Sequence, residues 1–162
     1  MHVLLTRTLD DSKDLIQTLK SNGFKVSNLP LLEISKVNHD EIKTNNFNAI
    51  IFTSSNAIKF LDLKSIDKNI LCFCVGSSTE KTARSNGFQY VYAADGNVRN
   101  LKELVQQNLS AKDNKVLYVS GEVVSYPLDR ELISEGYNVV RLINYTVKHN
   151  ENLDLSFLES LK

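Results

Sequence analysis

Three times along this chain a helical stretch closes on a polar pair, a glycine and an aromatic residue, then passes straight into a strand-forming run: Ser21-Asn22-Gly23-Phe24, Ser85-Asn86-Gly87-Phe88 and Ser134-Glu135-Gly136-Tyr137. Glycine permits the left-handed conformation just past a helix end, and the aromatic that follows can pack back on the last turn. A chain that repeatedly stops a helix and enters a strand is committed to helical crossovers between strands, and so to a parallel sheet. The glycines are unevenly spaced, which excludes a solenoid of fixed period.

Strand signals fall at residues 2–6, 24–29, 49–53, 70–75, 89–93, 115–120 and 138–145, and helical periodicity at 10–22, 56–63, 78–86, 98–108 and 127–135. The alternation predicts a doubly wound α/β protein. Two stretches interrupt it. Residues 30–38 are extended and mixed in polarity, and residues 146–152 are polar without a period. Both read as linkers. If both join the same two bodies, residues 36–145 form one inserted domain and residues 1–35 with 146–162 the other, giving two lobes around a cleft.

Composition narrows the partners. The 162 residues are 42% apolar, enough to bury a core in one domain or two small ones, and 19 basic residues balance 19 acidic ones. No basic footprint for nucleic acid or a membrane surface is present, so an anionic ligand must be held locally. The longest apolar runs, at 49–52 and 70–75, are too short to cross a bilayer, and no signal-peptide pattern opens the sequence; the expected location is the cytoplasm. Cys72 and Cys74, two apart in a strand, share a face and read as small core residues, a poor zinc site without a second ligand pair. His2, His39 and His149 are scattered, so no metal is expected. Neither a dinucleotide fingerprint nor a Walker loop occurs.

Three strand ends carry similar chemistry: Thr53-Ser54-Ser55-Asn56, Gly76-Ser77-Ser78-Thr79 and Ser120-Gly121. The carboxyl ends of parallel strands line the ligand crevice, and the helices that follow aim free amides into it. Each exposed helix dipole is worth about 0.3–1 kcal/mol, so several together can hold a polycarboxylate without a basic surface. Each hydroxyl can equally cap its own helix; the recurrence favours a site. Gly96-Asn97 is either a fourth such turn or an ordinary loop. Arg7, just past the first strand, either reaches a carboxylate or stays solvated. Tyr145 either offers its hydroxyl to a cleft as a proton donor or packs at a hinge.

In order along the chain, VLLTR (3–7), LPLLEI (29–34), IIFTSSNAIKF (50–60), CVGSSTEKTARSNGF (74–88), VLYVSG (116–121) and LISEGYNVVRLINYTV (132–147) resemble the segments of the uroporphyrinogen-III synthase family, the cyclising enzymes of tetrapyrrole and haem synthesis. The resemblance implies an α/β fold of two flavodoxin-like lobes with parallel sheets joined by two extended linkers. It implies hydroxymethylbilane, a linear polycarboxylate tetrapyrrole, as substrate, handed over from hydroxymethylbilane synthase. Loss of the terminal hydroxyl would give an azafulvene cation, and a spiro intermediate would then rearrange to uroporphyrinogen III with its last ring inverted. No cofactor is implied. Tyr145 would assist departure of the hydroxyl, while Thr53, Ser54, Ser55, Gly76, Ser77, Ser78 and Thr79 would line the substrate, with Arg7, Asn56, Ser120 and Gly121 as further binding candidates.

Family members continue past the second linker with another strand-helix run, whereas this sequence reaches Lys162 after one further helical pattern. The expectation is a first lobe incomplete in this chain, finished by further residues or by a second chain, and otherwise a monomer; a polypeptide ending there is expected to have little synthase activity. Two other readings of the residues stay open: a non-catalytic α/β module that binds a small anion, and a flavodoxin-like carrier that would hold flavin.

Overall fold

The computed structural model describes residues 1–40, 42, 46–112, 114–151 and 153. The chain divides into two units, Met1–Ser35 with Val147–Lys162, and Lys36–Thr146. In the first, β1 (His2–Leu5) and β2 (Lys25–Asn28) pair in parallel, His2 opposite Lys25 and Leu5 opposite Asn28. They are connected by α1 (Leu9–Ser21), whose first turn carries Asp10 and Asp11 where the helix dipole favours negative charge. Thr8 caps it by accepting a hydrogen bond from the Asp11 amide. The helical pattern expected after the second linker falls on residues outside those described.

The second unit follows as β4 (Ala49–Phe52), α2 (Ser55–Lys59), β5 (Leu71–Val75), α3 (Gly76–Ser85), β6 (Tyr90–Ala94), α4 (Val98–Asn108), β7 (Lys115–Gly121), α5 (Leu128–Ser134) and β8 (Asn138–His149) as far as Thr146, the last three residues of β8 belonging to the first unit. With β3 (Leu32–Lys36) the strand order is β3-β8-β7-β4-β5-β6. β4 pairs in parallel with both β5 and β7, β5 with β6, and β7 with β8.

The glycine signature produces the geometry it predicts. Gly23, Gly87 and Gly136 have φ of 79°, 93° and 90°. At each helix end the aromatic amide bonds back to the carbonyl five residues earlier: Phe24 to Leu19 at 3.1 Å, Phe88 to Ala83 at 3.3 Å and Tyr137 to Leu132 at 3.1 Å. This is the Schellman arrangement, and it buries Phe88 and Tyr137 almost completely.

Strand alternation divides the core into two layers. Ile50, Phe52, Cys72, Cys74, Leu117 and Val119 face α2 and α3, while Ala49, Ile51, Phe73, Val116 and Tyr118 face α4 and α5. Because helices cover both faces, every residue of β4 has 0% exposure, as the central strand of a parallel sheet must. The two cysteine sulfurs lie 3.7 Å apart within the first layer.

Two elements depart from the sequence reading. The helix expected at 56–63 ends at Lys59, with Phe60 as its C-cap. The next turn tightens to a Leu61-to-Ile58 hydrogen bond, and the Asp62 carboxylate takes the Lys64 amide at 3.0 Å, an alternative to helix that Asp offers. The strand expected to stop at Tyr145 continues to His149. Its polar end is strand because backbone partners exist for it: Val37 N–H donates to the Asn144 carbonyl and Asn150 N–H to that of Leu31.

On the α4–α5 side, Lys102 Nζ lies 3.1 Å from Glu131 and 2.7 Å from Glu135. Its hydrogen bond and charge hold the Glu131 carboxyl below its usual range. A carboxylate with a lowered folded pKa stabilises above its ordinary titration range, and that contribution fades as pH falls through the lowered value. Lys102→Met should therefore raise the Glu131 titration, followed by carboxyl carbon NMR, towards the ordinary carboxylate range, with Tyr126 and Arg99 still holding it down.

Candidate functional site

The connections leaving β4 and β5 run to α2 and α3 on one face, and those leaving β6 and β7 run to α4 and α5 on the other. β4 and β7 are neighbours, so the chain diverges between their carboxyl ends, where open α/β sheets form a binding crevice. A hollow of about 170 Å³ sits there, lined by Thr53 and Ser54 after β4, Tyr118 on β7, Ser125 and Tyr126 in the following loop, and Tyr145 on β8. It adjoins a second hollow of about 280 Å³ that shares Ser125 and Tyr126 and adds Asn97 and Arg99. The first volume is below the roughly 300–1,000 Å³ of a small-molecule site, and suits one carboxylate arm of a larger ligand.

Each side chain has an identifiable support. Ser54 precedes α2 and accepts the Asn56 amide at 3.2 Å, so its oxygen is partly used as a cap. The Thr53 and Tyr118 hydroxyl oxygens are 3.4 Å apart, at the weak limit of a hydrogen bond, so both retain donor capacity. Burial pushes the Tyr118 phenol above its ordinary value, which keeps its proton on at neutral pH. The Tyr145 ring stacks against Phe60 with centroids 6.4 Å apart and lies over Gly121. No lining residue of the first hollow is charged. The adjoining one brings a cation, Arg99, whose guanidinium sits 5.7 Å from the centre of the Tyr126 ring.

The other candidates separate. Ser55 and Asn56 form the first turn of α2, after Ser54, and neither lines the hollow. Gly76, Ser77, Ser78 and Thr79 begin α3 at the end of the next strand, where Gly76 takes φ of 74° and no side chain caps the helix. Ser77 and Ser78 are exposed there and Thr79 is buried. The Ser120 hydroxyl is fully buried and engaged, accepting from Arg141 Nε at 2.9 Å and donating to the Gly121 carbonyl at 3.0 Å. Asn97 after Gly96 caps α4 by accepting two amides. Arg7 belongs to the first unit, where it lines a groove with Thr6, Thr8, Leu31, Leu32 and His149 and stands 4.0 Å from Asp11.

The structure brings Thr53, Ser54 and Tyr145 to one hollow, together with Tyr118, Ser125 and Tyr126 and, in the adjoining one, Arg99, none of which the sequence reading singled out. Tyr118 looks like any strand residue, since only the strand order reveals that its face borders the switch point. The loop after β7 offered a readable signal, a serine and tyrosine ahead of a proline. Among the described residues no group of three or more His, Cys, Asp or Glu side chains is placed to hold a metal ion, and no helix is long and apolar enough to cross a membrane.

Comparison with known proteins adds a family. The model described as uroporphyrinogen-III synthase HemD matches residues 13–162. The solved uroporphyrinogen-III synthetase of Helicobacter pylori is similar at 25% identity and a TM-score of 0.60, over 86% of this chain and 62% of that one. A mutant uroporphyrinogen III synthase of Thermus thermophilus shares the fold at 15% identity and a TM-score of 0.62, over 93% of this chain and 64% of that one. The chain thus spans less than two thirds of the length of these structures. No curated protein matches it.

Proposed function

Because the chain belongs to the uroporphyrinogen-III synthase family, we propose that it cyclises hydroxymethylbilane to uroporphyrinogen III, inverting the last pyrrole ring, as a cytoplasmic step of haem synthesis fed by hydroxymethylbilane synthase. The observation that carries this reading is the uncharged, hydroxyl-lined hollow at the β4–β7 switch point, with Tyr145 beside it.

The chemistry favours such a lining. Once the terminal hydroxyl leaves, the substrate is a delocalised cation, and fixed positive charges at the reacting carbon would raise its energy. Neutral donors hold the carboxylate arms without that penalty. A hydrogen bond to a charged group contributes about 1.5–3 kcal/mol, so a few suffice to fix the chain's curvature. In this reading Thr53, Ser54 and Tyr118 donate to one arm. The amides of Ser55 and of the uncapped start of α3 at Gly76, Ser77 and Ser78 donate to others, and Arg99 serves an arm remote from the cation. Tyr145 donates its proton as the carbon–oxygen bond breaks, so that water departs and not hydroxide. The bound curvature brings the substituted carbon of the last ring against the cation, ahead of the uninverted closure that occurs in solution.

The test is isomer analysis of porphyrins formed from freshly made hydroxymethylbilane. Type III product in excess of a buffer control is expected. Only the type I isomer, formed at the buffer rate, would overturn the catalytic reading, and retention of the bilane without inversion would assign the chain to anion binding alone.

A further inference from the structure

The register of β8 changes where it approaches the hollow. Ser120 on β7 faces Ile143, but the next residue, Gly121, faces Tyr145, leaving Asn144 as an extra residue in the strand. The consequence is visible in the packing. Leu142 packs in the α2–α3 layer, whereas Arg141 reaches Asp129 on α5; strict alternation would send Asn144 to the α2 side and Tyr145 to the α5 side. Instead both lie on the α2 side: the Asn144 amide donates to the Ala57 carbonyl at 2.7 Å, and Tyr145 packs in the same layer against Phe60. A bulge of this kind re-aims one side chain.

Asn144 is fully buried, and its side-chain oxygen has no hydrogen-bond partner. An unsatisfied buried acceptor opposes folding, so the amide is not there for stability alone. Its backbone is also fixed, since its carbonyl takes the Val37 amide at 2.9 Å, and the Tyr145 carbonyl takes that of Glu122 at 2.9 Å. We infer that Asn144 is a positioning residue: by tying the β8 bulge to α2, it turns the Tyr145 phenol to the side of the sheet where Ser54 begins that helix. The inference rests on the synthase reading for the purpose of the phenol, and on geometry alone for its placement.

Uniform 3-fluorotyrosine labelling separates the two. The chain has 6 tyrosines, and the Tyr145 resonance is assigned by its loss in Tyr145→Phe. In Asn144→Ala the Tyr145 resonance should move while that of Tyr137, held by its bond to the Leu109 carbonyl, stays. The turnover number should fall roughly tenfold or more with KM changed less than about threefold, because misplacement of a reacting group acts on the transition state. A Tyr145 resonance unmoved in the folded variant overturns the inference. If Asn144→Ala does not fold, Asn144→Gln, which keeps the amide but displaces it by a methylene, decides by the same resonance. A wild-type chain that forms no type III isomer would sink the synthase reading and leave the fluorine result to judge the placement.

Discussion

Gly121→Val should lower turnover about 100-fold while leaving the chain folded. A Cβ at Gly121 would lie 2.7 Å from the Tyr145 Cε2 and Cζ atoms and 3.0 Å from its hydroxyl oxygen, far inside van der Waals contact. The ring also has Phe60 as an aromatic neighbour, with centroids 6.4 Å apart, so its movement away from a new side chain disturbs that contact. Nor does the backbone object to a side chain, since Gly121 is not among the positive-φ glycines. The closest clash of the new Cβ therefore falls on the phenol. Overpacking of this kind costs about 1–3 kcal/mol, against a typical stability of about 5–15 kcal/mol, so folding survives. A displacement of about 1 Å at a reacting group is enough for a roughly 100-fold loss. Steady-state kinetics beside a thermal melt checks both halves; turnover within about threefold of wild type would mean that this ring's position does not limit the reaction.

Phe73→Ala should produce the largest loss of stability. Phe73 has 0% exposure in the centre of the α4–α5 layer, stacked on Tyr92 with ring centroids 5.4 Å apart. Truncating a buried phenylalanine costs about 3–5 kcal/mol through lost transfer energy and the cavity left behind. That is a fifth or more of the usual total, and lowers the melting temperature by roughly 6–20 °C for a chain of this length. Val123→Ala is the matching control: Val123 is 84% exposed although it borders the hollow, and its change should stay within about 0.5 kcal/mol. Urea midpoints measured with unchanged slope decide between these sizes of effect.

What the sequence made legible was local. The helix ends at Gly23, Gly87 and Gly136 could be read because a left-handed residue and a packed aromatic are properties of a few adjacent residues. The alternation of β4 and β5 with helices was likewise legible, since apolar runs of that length between turns have few other uses. The lost features depend on partners distant in the chain. The bulge at Asn144 exists only as a mismatch with Ser120 and Gly121 on a neighbouring strand, and LINYTV by itself reads as regular alternation. Tyr118 borders the hollow because β7 lies beside β4, a strand order that no residue pattern encodes. The early end of α2 was missed because helix propensity runs on through Phe60 and Leu61, while the Asp62 side chain supplies a competing turn. Ser120 shows the reverse error: its residue type suggested a ligand, but Arg141 has already taken its hydroxyl.

The two cysteines acquire a use from where they sit. Both are fully shielded on β5, which has a paired strand on either side. Their mutual hydrogen bond, and then burial, pushes the Cys72 thiol well above its ordinary value. Thiolate, the form that reacts with alkylating agents, is thereby suppressed as well as hidden. Alkylation of this pair can proceed only in the fraction of molecules whose inner strands have parted, so its rate reports how often the second unit breathes open under native conditions. The protein carries, within its own central sheet, a chemical clock for its excursions from the folded state.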